Sequence, residues 1–146
     1  MPPTRIASGL KSTIWAAALA LLLAASPQAA MAQAASGAMA AQTSVERGIT
    51  VKVTPKAMGA SSNRWEFEIV FDTHSGELKD DLVQSAVLST IDGRSIKPLA
   101  WTGAPPGGHH REGVMAFEVP SPRPASVELR IQLPGEAAPR TFRWQP

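Results

Sequence analysis

The chain has 146 residues, with 14 Lys or Arg, 12 Asp or Glu and three His, so its formal net charge is +2. Because it contains no cysteine, disulfide bonds, Cys-dependent catalysis and the thiolate ligand of a blue-copper centre are excluded. The near-neutral charge, without basic clusters, argues against nucleic acid or an anionic membrane as the main partner.

The N-terminal segment has the three parts of a secretory signal. Arg5 and Lys11 form its basic part, and an apolar run from 14 to 25 follows. Ala30-Met31-Ala32 supplies the small residues that a signal peptidase requires, which predicts cleavage after Ala32, with Ala40 as a later alternative. The apolar run is shorter than the roughly 20 residues that span a bilayer, so no stable membrane anchor is predicted after cleavage.

The predicted domain organisation has three parts: a cleaved signal peptide (1–32), a flexible linker (33–46) and a single folded domain (47–146). The linker prediction depends on the run of Ala, Gly, Ser and Gln. The signal contains two of the 14 basic residues and none of the 12 acidic ones, so the predicted mature chain carries equal numbers of both. The expected location is the periplasm or the extracellular medium.

Apolar and polar residues alternate with period two along the domain, which predicts strands rather than helices. The clearest strand covers 65–71, and its alternate residues Trp65, Phe67, Ile69 and Phe71 are predicted to anchor the core. Six further strands are predicted at 49–53, 86–91, 95–101, 115–119, 127–133 and 142–144.

Two connections are predicted in more detail. Asp92-Gly93 favours a tight hairpin turn between the strands 86–91 and 95–101, and Pro98 places the second strand at an edge or a bulge. A helical turn fits between 75 and 84, with its apolar side chains packed across one end of the domain: Leu78, Leu82 and Val83. About seven strands predict an all-β, immunoglobulin-like β-sandwich, with a small β-barrel as the alternative.

All three histidines lie in two predicted loop motifs. The first, Asp72-Thr73-His74-Ser75, follows the strand 65–71, and its Asp, Thr and Ser are suited to bonding backbone amides of the next turn. The second, Gly107-Gly108-His109-His110-Arg111, lies in an apparently irregular segment, 102–113. So long a loop in a small domain is more often functional than a short one.

Asp72, His74, His109 and His110 are the predicted ligands of a divalent metal such as zinc or copper, because imidazole and carboxylate groups suit both ions. The alternative is a structural role for all three histidines, since adjacent residues of an extended segment point to opposite sides. A second alternative is a calcium site formed by Asp72 with three more carboxylates, those of Glu77, Asp80 and Asp81. Those carboxylates also suit a solvated acidic face.

Other features have simpler interpretations. Arg111 and Glu112 are predicted to form a loop salt bridge, and Trp101 and Trp144 either pack in the core or line a groove. Catalysis finds little support, because Ser75 adjoins His74 in sequence and neighbours rarely reach nucleophile-to-base geometry.

The two histidine motifs resemble a pattern in small exported bacterial proteins of no established activity, and that resemblance brings no substrate or partner. In export, size and predicted fold the chain also resembles the small periplasmic copper-resistance sandwich proteins. Those proteins use a histidine at the mature N-terminus as a copper ligand. Here no histidine precedes His74.

The sequence predicts an exported, non-enzymatic binding module. One version of this prediction adds a divalent metal ion held by the loop histidines. The main alternative is an interaction or structural domain that recruits an envelope protein, with structural histidines. An exported hydrolase is a distant third.

Overall fold

The computed structural model describes residues 39–146. The predicted signal peptide and the first six residues of the predicted linker lie outside the described residues. Between residues 39 and 146, no helix is long and apolar enough to cross a membrane.

The described part of the chain forms nine strands and one helical turn, α1. The strands are β1 (Gln42–Glu46), β2 (Ile49–Ala57), β3 (Arg64–Thr73), β4 (Ala86–Thr90), β5 (Ser95–Ile96), β6 (Ala100–Gly103), β7 (His110–Glu118), β8 (Val127–Ile131) and β9 (Arg140–Trp144). The turn α1 covers Leu82–Ser85 and is capped at its N-terminus by Asp81, whose Oδ1 accepts a hydrogen bond from the backbone N–H of Val83. The predicted helical turn, 75–84, forms only at 82–85; of its three predicted apolar side chains, Leu78 and Leu82 are buried and Val83 is half-buried.

The strands form two antiparallel sheets, one in the order β1-β2-β3-β7-β6 and the other in the order β5-β4-β8-β9. The predicted all-β sandwich is confirmed, and the alternative of a closed barrel is wrong. Without β1, the two orders correspond to the A-B-E-D and C′-C-F-G sheets of immunoglobulin domains. Nine strands replace the predicted seven because β1 was missed and the strand 95–101 is divided in two.

The core lies between the two sheets, and β3 contributes most to it. Trp65, Phe67, Ile69 and Phe71 are all buried, which confirms the predicted inward face. The Phe67 ring contacts Phe117 edge-on at 5.8 Å between centroids. It also lies 5.2 Å from the ring of Trp144, which belongs to the other sheet. Phe67 therefore joins the two layers of the sandwich.

The predicted flexible linker, 33–46, is wrong at its C-terminal end, where β1 forms. β1 pairs with β2 through the two-residue turn Arg47-Gly48, with Glu46 opposite Ile49. Both turn residues have positive φ, 50° and 77°, which suits the right-handed twist of a two-residue hairpin.

The N-terminal end of β1 and the two residues before it reach the edge of the other sheet. The side-chain amide of Gln42 bonds both backbone groups of Arg143 in β9, donating to its carbonyl and accepting from its N–H at 3.1 Å. The indole N–H of Trp144 donates to the carbonyl of Ala40 at 2.9 Å. Residues 40–42 thus connect the first strand of one sheet to the last strand of the other.

The predicted strand 95–101 is the second element in which the structure differs from the prediction. Only Ser95–Ile96 pairs with β4, opposite Ser89 and Leu88. After the buried Pro98, the chain enters the other sheet, where β6 pairs with β7. Trp101 therefore lies in the sheet opposite to the one that the hairpin predicted.

Arg140 is a fully buried cation that joins β9 to the β1–β2 hairpin. Its Nη2 lies 2.5 Å from Oε1 of Glu136, and the two side chains are 0% and 4% exposed. The guanidinium also donates to the carbonyls of Ser44, Glu46 and Ile49, at 3.3, 2.8 and 2.8 Å. The three hydrogen bonds to these carbonyls fix the position of the first hairpin against β9, and the ion pair with Glu136 balances the buried charge.

Candidate functional site

The two histidine motifs meet at one end of the sandwich. The backbone N–H of Thr73 donates to the carbonyl of His109 at 2.8 Å, and that of Leu78 donates to the carbonyl of Gly108 at 2.9 Å. The N–H of Gly107 returns a bond to the carbonyl of Leu78 at 2.8 Å. We refer to the segments 73–81 and 104–109 together as the loop pair.

The predicted irregular segment, 102–113, is shorter in the structure. β6 extends to Gly103 and β7 begins at His110, so only residues 104–109 lie between the strands. His110 is a strand residue opposite Asp72 on β3. Strand parity then places Glu112 on the same outer face as His110, whereas Arg111 points inward.

The predicted capping role falls to Thr73. Its Oγ1 donates to the carbonyl of Ser75 at 2.8 Å and accepts from the Ser75 N–H at 3.2 Å. Asp72 has a different role, because its carboxylate faces His110 on the neighbouring strand.

Arg111 holds the loop pair from inside the sandwich. The residue is 2% exposed, and its Nη1 donates to the carbonyls of Asp80 at 2.8 Å and Leu78 at 3.3 Å. Its Nη2 donates to the carbonyl of Ala104 at 3.4 Å, and its Nε has no partner. The predicted salt bridge with Glu112 is absent, since the two side chains lie on opposite faces of β7. Burial lowers the pKa of Arg111.

Trp101 covers the guanidinium of Arg111. The ring centroid lies 5.8 Å from the Arg111 Cζ, and the indole N–H donates to the carbonyl of Ala104 at 3.0 Å. The ring rests on Gly113, where an added Cβ would lie 2.7 Å from Trp101 Cζ2 and from the Cα of Gly103. Only glycine therefore leaves room for Trp101 at this position.

Asp72, His110 and Glu112 form a cluster on the outer face of β3 and β7. Nδ1 of His110 lies 2.6 Å from Oδ1 of Asp72, and Nε2 lies 3.7 Å from Oε2 of Glu112. The side chains are 50–56% exposed. The hydrogen bond with Asp72, followed by smaller effects of the Asp72 charge and of Glu112, raises the pKa of His110 above 6.5.

Of the four predicted metal ligands, the structure brings only Asp72 and His110 into contact. His74 is exposed in the loop pair, and His109 uses its carbonyl to bond Thr73. In the range 39–146, no group of three or more His, Asp or Glu side chains is arranged to hold a metal ion. Metal binding stays a prediction, but its ligand set has to be revised.

The carboxylates of the alternative calcium site have separate roles. Asp81 caps α1, and the Glu77 carboxylate lies 2.8 Å from the Lys79 ammonium. Burial raises the pKa of Asp80, whose backbone carbonyl, rather than its carboxylate, bonds Arg111. Nothing in this arrangement favours calcium.

Two functional candidates escaped the sequence interpretation. Glu112 lies two residues after His110, so extending the predicted strand 115–119 back to 110 would have placed both on one face. Arg111 gave no such signal, because its carbonyl partners are distant in sequence. No protein-family model, curated protein or solved structure matches the chain.

Proposed function

We propose that the protein is an exported, non-enzymatic binding module of the periplasm or extracellular medium, and that it recruits an envelope protein through the loop pair. The observation that carries the proposal is the buried guanidinium of Arg111. It lies within hydrogen-bonding distance of three loop carbonyls. Among residues 39–146 no carboxylate lies within ion-pair distance of it, and the charges of Asp80 and Asp81 offset only part of the cost of its burial.

Burying a charge without an ion-pair partner costs free energy. A buried guanidinium beneath surface loops therefore suggests that the order it gives these loops has a function. The expected benefit is a loop pair ordered before binding, which lowers the entropy lost on association. The exposed side chains of the loop pair include His74, Ser75, Glu77, Lys79 and His109. This mixed polar surface suits another protein better than an apolar small molecule.

The loop surface is tested by in vivo crosslinking. A photo-reactive residue at position 77 should capture an envelope protein, and the double variant His74→Ala with His109→Ala should reduce that capture several-fold. The control is Asn63→Ala, an exposed residue in the loop before β3, at the opposite end of the sandwich. If the double variant captured as much envelope protein as the control Asn63→Ala, the loop pair would be ruled out as the binding surface.

Divalent metal binding is the second candidate, supported by the contact between Asp72 and His110. A metal-binding imidazole usually donates its other ring N–H to a carboxylate or carbonyl oxygen. In this form of the function, the loop pair and the metal ion lie at the same end of the sandwich.

Export predicts a processed protein that begins at Gln33. Cleavage after Ala40 instead would remove the carbonyl that accepts the Trp144 indole N–H and leave a buried donor without that partner. Intact-mass measurement of periplasmic protein should therefore give residues 33–146. Recovery of all 146 residues there, or of a stable product starting at Ala41, would contradict the prediction.

A further inference from the structure

We propose that a cavity on the outer face of the sheet β5-β4-β8-β9 binds a phosphate monoester through the guanidinium groups of Arg130 and Arg143. The cavity has a volume of about 390 Å³ and is lined by residues of β4, β8 and β9. Ser89, Ser126 and Glu128 line it together with the two arginines. This inference goes beyond the proposed function, because none of these residues belongs to the loop pair.

Strand pairing brings the polar lining side chains together on one face of the sheet. Ser89 on β4 lies opposite Glu128 on β8, and Glu128 lies opposite Arg143 on β9. Arg130 follows Glu128 by two residues on β8 and therefore projects from the same face. Between them, Leu129 is buried in the core. The sheet backbone thus determines which side chains meet at the cavity.

Glu128 holds the two arginines beside one another. Its Oε1 accepts a hydrogen bond from the Nε of Arg130 at 2.5 Å, and its Oε2 accepts one from the Nε of Arg143. The bond with Arg130, and less strongly that with Arg143, lowers the pKa of Glu128 against the opposing effect of burial. The Glu128 side chain is 12% exposed, whereas those of Arg130 and Arg143 are 47% and 76% exposed. Glu128 is therefore a positioning residue, and the guanidinium groups are the parts that a ligand can reach.

The hydrogen-bonding groups left over at the cavity can all donate. A guanidinium has five N–H donors, and Glu128 engages only the Nε–H of each arginine. Within residues 39–146, the Nη groups of Arg130 and Arg143 have no hydrogen-bond partner, and the hydroxyls of Ser89 and Ser126 have none either. One carboxylate between two guanidinium groups also leaves a surplus positive charge. These properties favour an anionic ligand with several acceptor oxygens.

A phosphate monoester matches these donors better than a carboxylate does. It carries a charge of about −1.5 to −2 at pH 7 and presents three strong acceptor oxygens. A carboxylate has only two oxygens and a single charge. Arginine binds phosphate through two parallel N–H donors, and both Nη groups of each arginine are available for such a contact. The class of ligand is therefore a phosphate monoester, carried by a soluble compound or by a lipid headgroup.

Calorimetric titration of the processed protein with glycerol 3-phosphate at low ionic strength tests the site. We expect saturable binding with a dissociation constant below about 1 mM, weakened by added salt because the arginines are partly exposed. Arg130→Gln and Arg143→Gln should each weaken binding by about 10-fold or more, since each removes charge-assisted hydrogen bonds. The double variant should abolish binding. The matched control Lys52→Gln removes an exposed cation from β2 in the other sheet and should leave binding unchanged.

Two further measurements locate the bound phosphate and identify its source. In a nitrogen-15 NMR titration, the Nε–H signals of Arg130 and Arg143 should shift, whereas the backbone amides of Gly107 and Gly108 in the loop pair should not. Flotation with vesicles that contain phosphatidic acid presents the same phosphate monoester on a lipid. Retention on these vesicles that the double variant loses would assign the site to a lipid headgroup, and binding of glycerol 3-phosphate alone would assign it to a soluble compound.

Several results would overturn the proposal: no saturable binding to either probe, binding that survives the double variant, or equal weakening by Lys52→Gln. Acetate that binds as tightly as glycerol 3-phosphate would also overturn it, because the site would then not distinguish phosphate from carboxylate. Thermal unfolding checks that each variant folds. Crosslinking at the loop pair does not involve these residues, so a failed titration with intact crosslinking rejects the phosphate site and leaves the proposed binding module standing.

Discussion

Arg140→Met should destabilise the domain by about 3–5 kcal/mol, because it leaves the Glu136 carboxylate buried without its partner. The replacement also leaves the carbonyls of Ser44, Glu46 and Ile49 without their donor. A small domain has only about 5–15 kcal/mol of stability in total, so a large part of the population should unfold.

Urea unfolding followed by circular dichroism measures this effect. The control is Arg130→Met on β8, where the lost cation is 47% exposed and pairs with Glu128, so the cost should stay below about 1 kcal/mol. Adding Glu136→Leu to Arg140→Met should recover part of the loss, since no charge then stays buried. A loss below about 1 kcal/mol for Arg140→Met would mean that the ion pair has little effect on stability.

Phe67→Ala should cost about 3–5 kcal/mol, the usual range for truncating a buried aromatic residue. Phe67 is 0% exposed and contacts Phe117 in its own sheet and Trp144 in the other, so its removal leaves a cavity between the layers. The same unfolding measurement applies, together with the loss of near-ultraviolet circular dichroism from the neighbouring rings.

Two comparisons make this result specific. Phe67→Leu keeps most of the buried volume and should cost less than Phe67→Ala. Val70→Ala removes an outward-facing, half-buried side chain of the same strand and should cost less still. Equal losses for Phe67→Ala and Val70→Ala would show that the inward face of β3 has been assigned wrongly.

The parts of the fold that were predicted correctly are those in which one strand face is apolar. In β3, four apolar residues alternate with Glu66, Glu68 and Val70, and the burial of those four follows that period of two. β1 was missed because only Val45 among its five residues is apolar, and that side chain is 69% exposed. The change of sheet at Pro98 depends on tertiary packing, which a local alternation pattern does not contain.

The candidate site was predicted less completely for a related reason. Proximity of the two histidine motifs follows from the antiparallel pairing of β3 with β7, which no single motif encodes. In the sequence, Arg111 and Arg140 have the appearance of surface cations. Both are buried, and carbonyls of distant segments accept their hydrogen bonds. Glu112 could be assigned to a strand, on the same face as His110, only once the start of β7 was known.

The Gln42 carboxamide has a consequence for how the molecules behave at high concentration. A strand at the end of a sheet offers unpaired N–H and C=O groups that invite strands from other molecules and lead to aggregation. By bonding both groups of Arg143, the carboxamide occupies one of the backbone positions on β9 at which a foreign strand would pair. Many proteins protect such edges with charged side chains, whose repulsion weakens with salt. The two hydrogen bonds of the uncharged Gln42 amide do not depend on charge repulsion, so salt should not weaken their effect at this position.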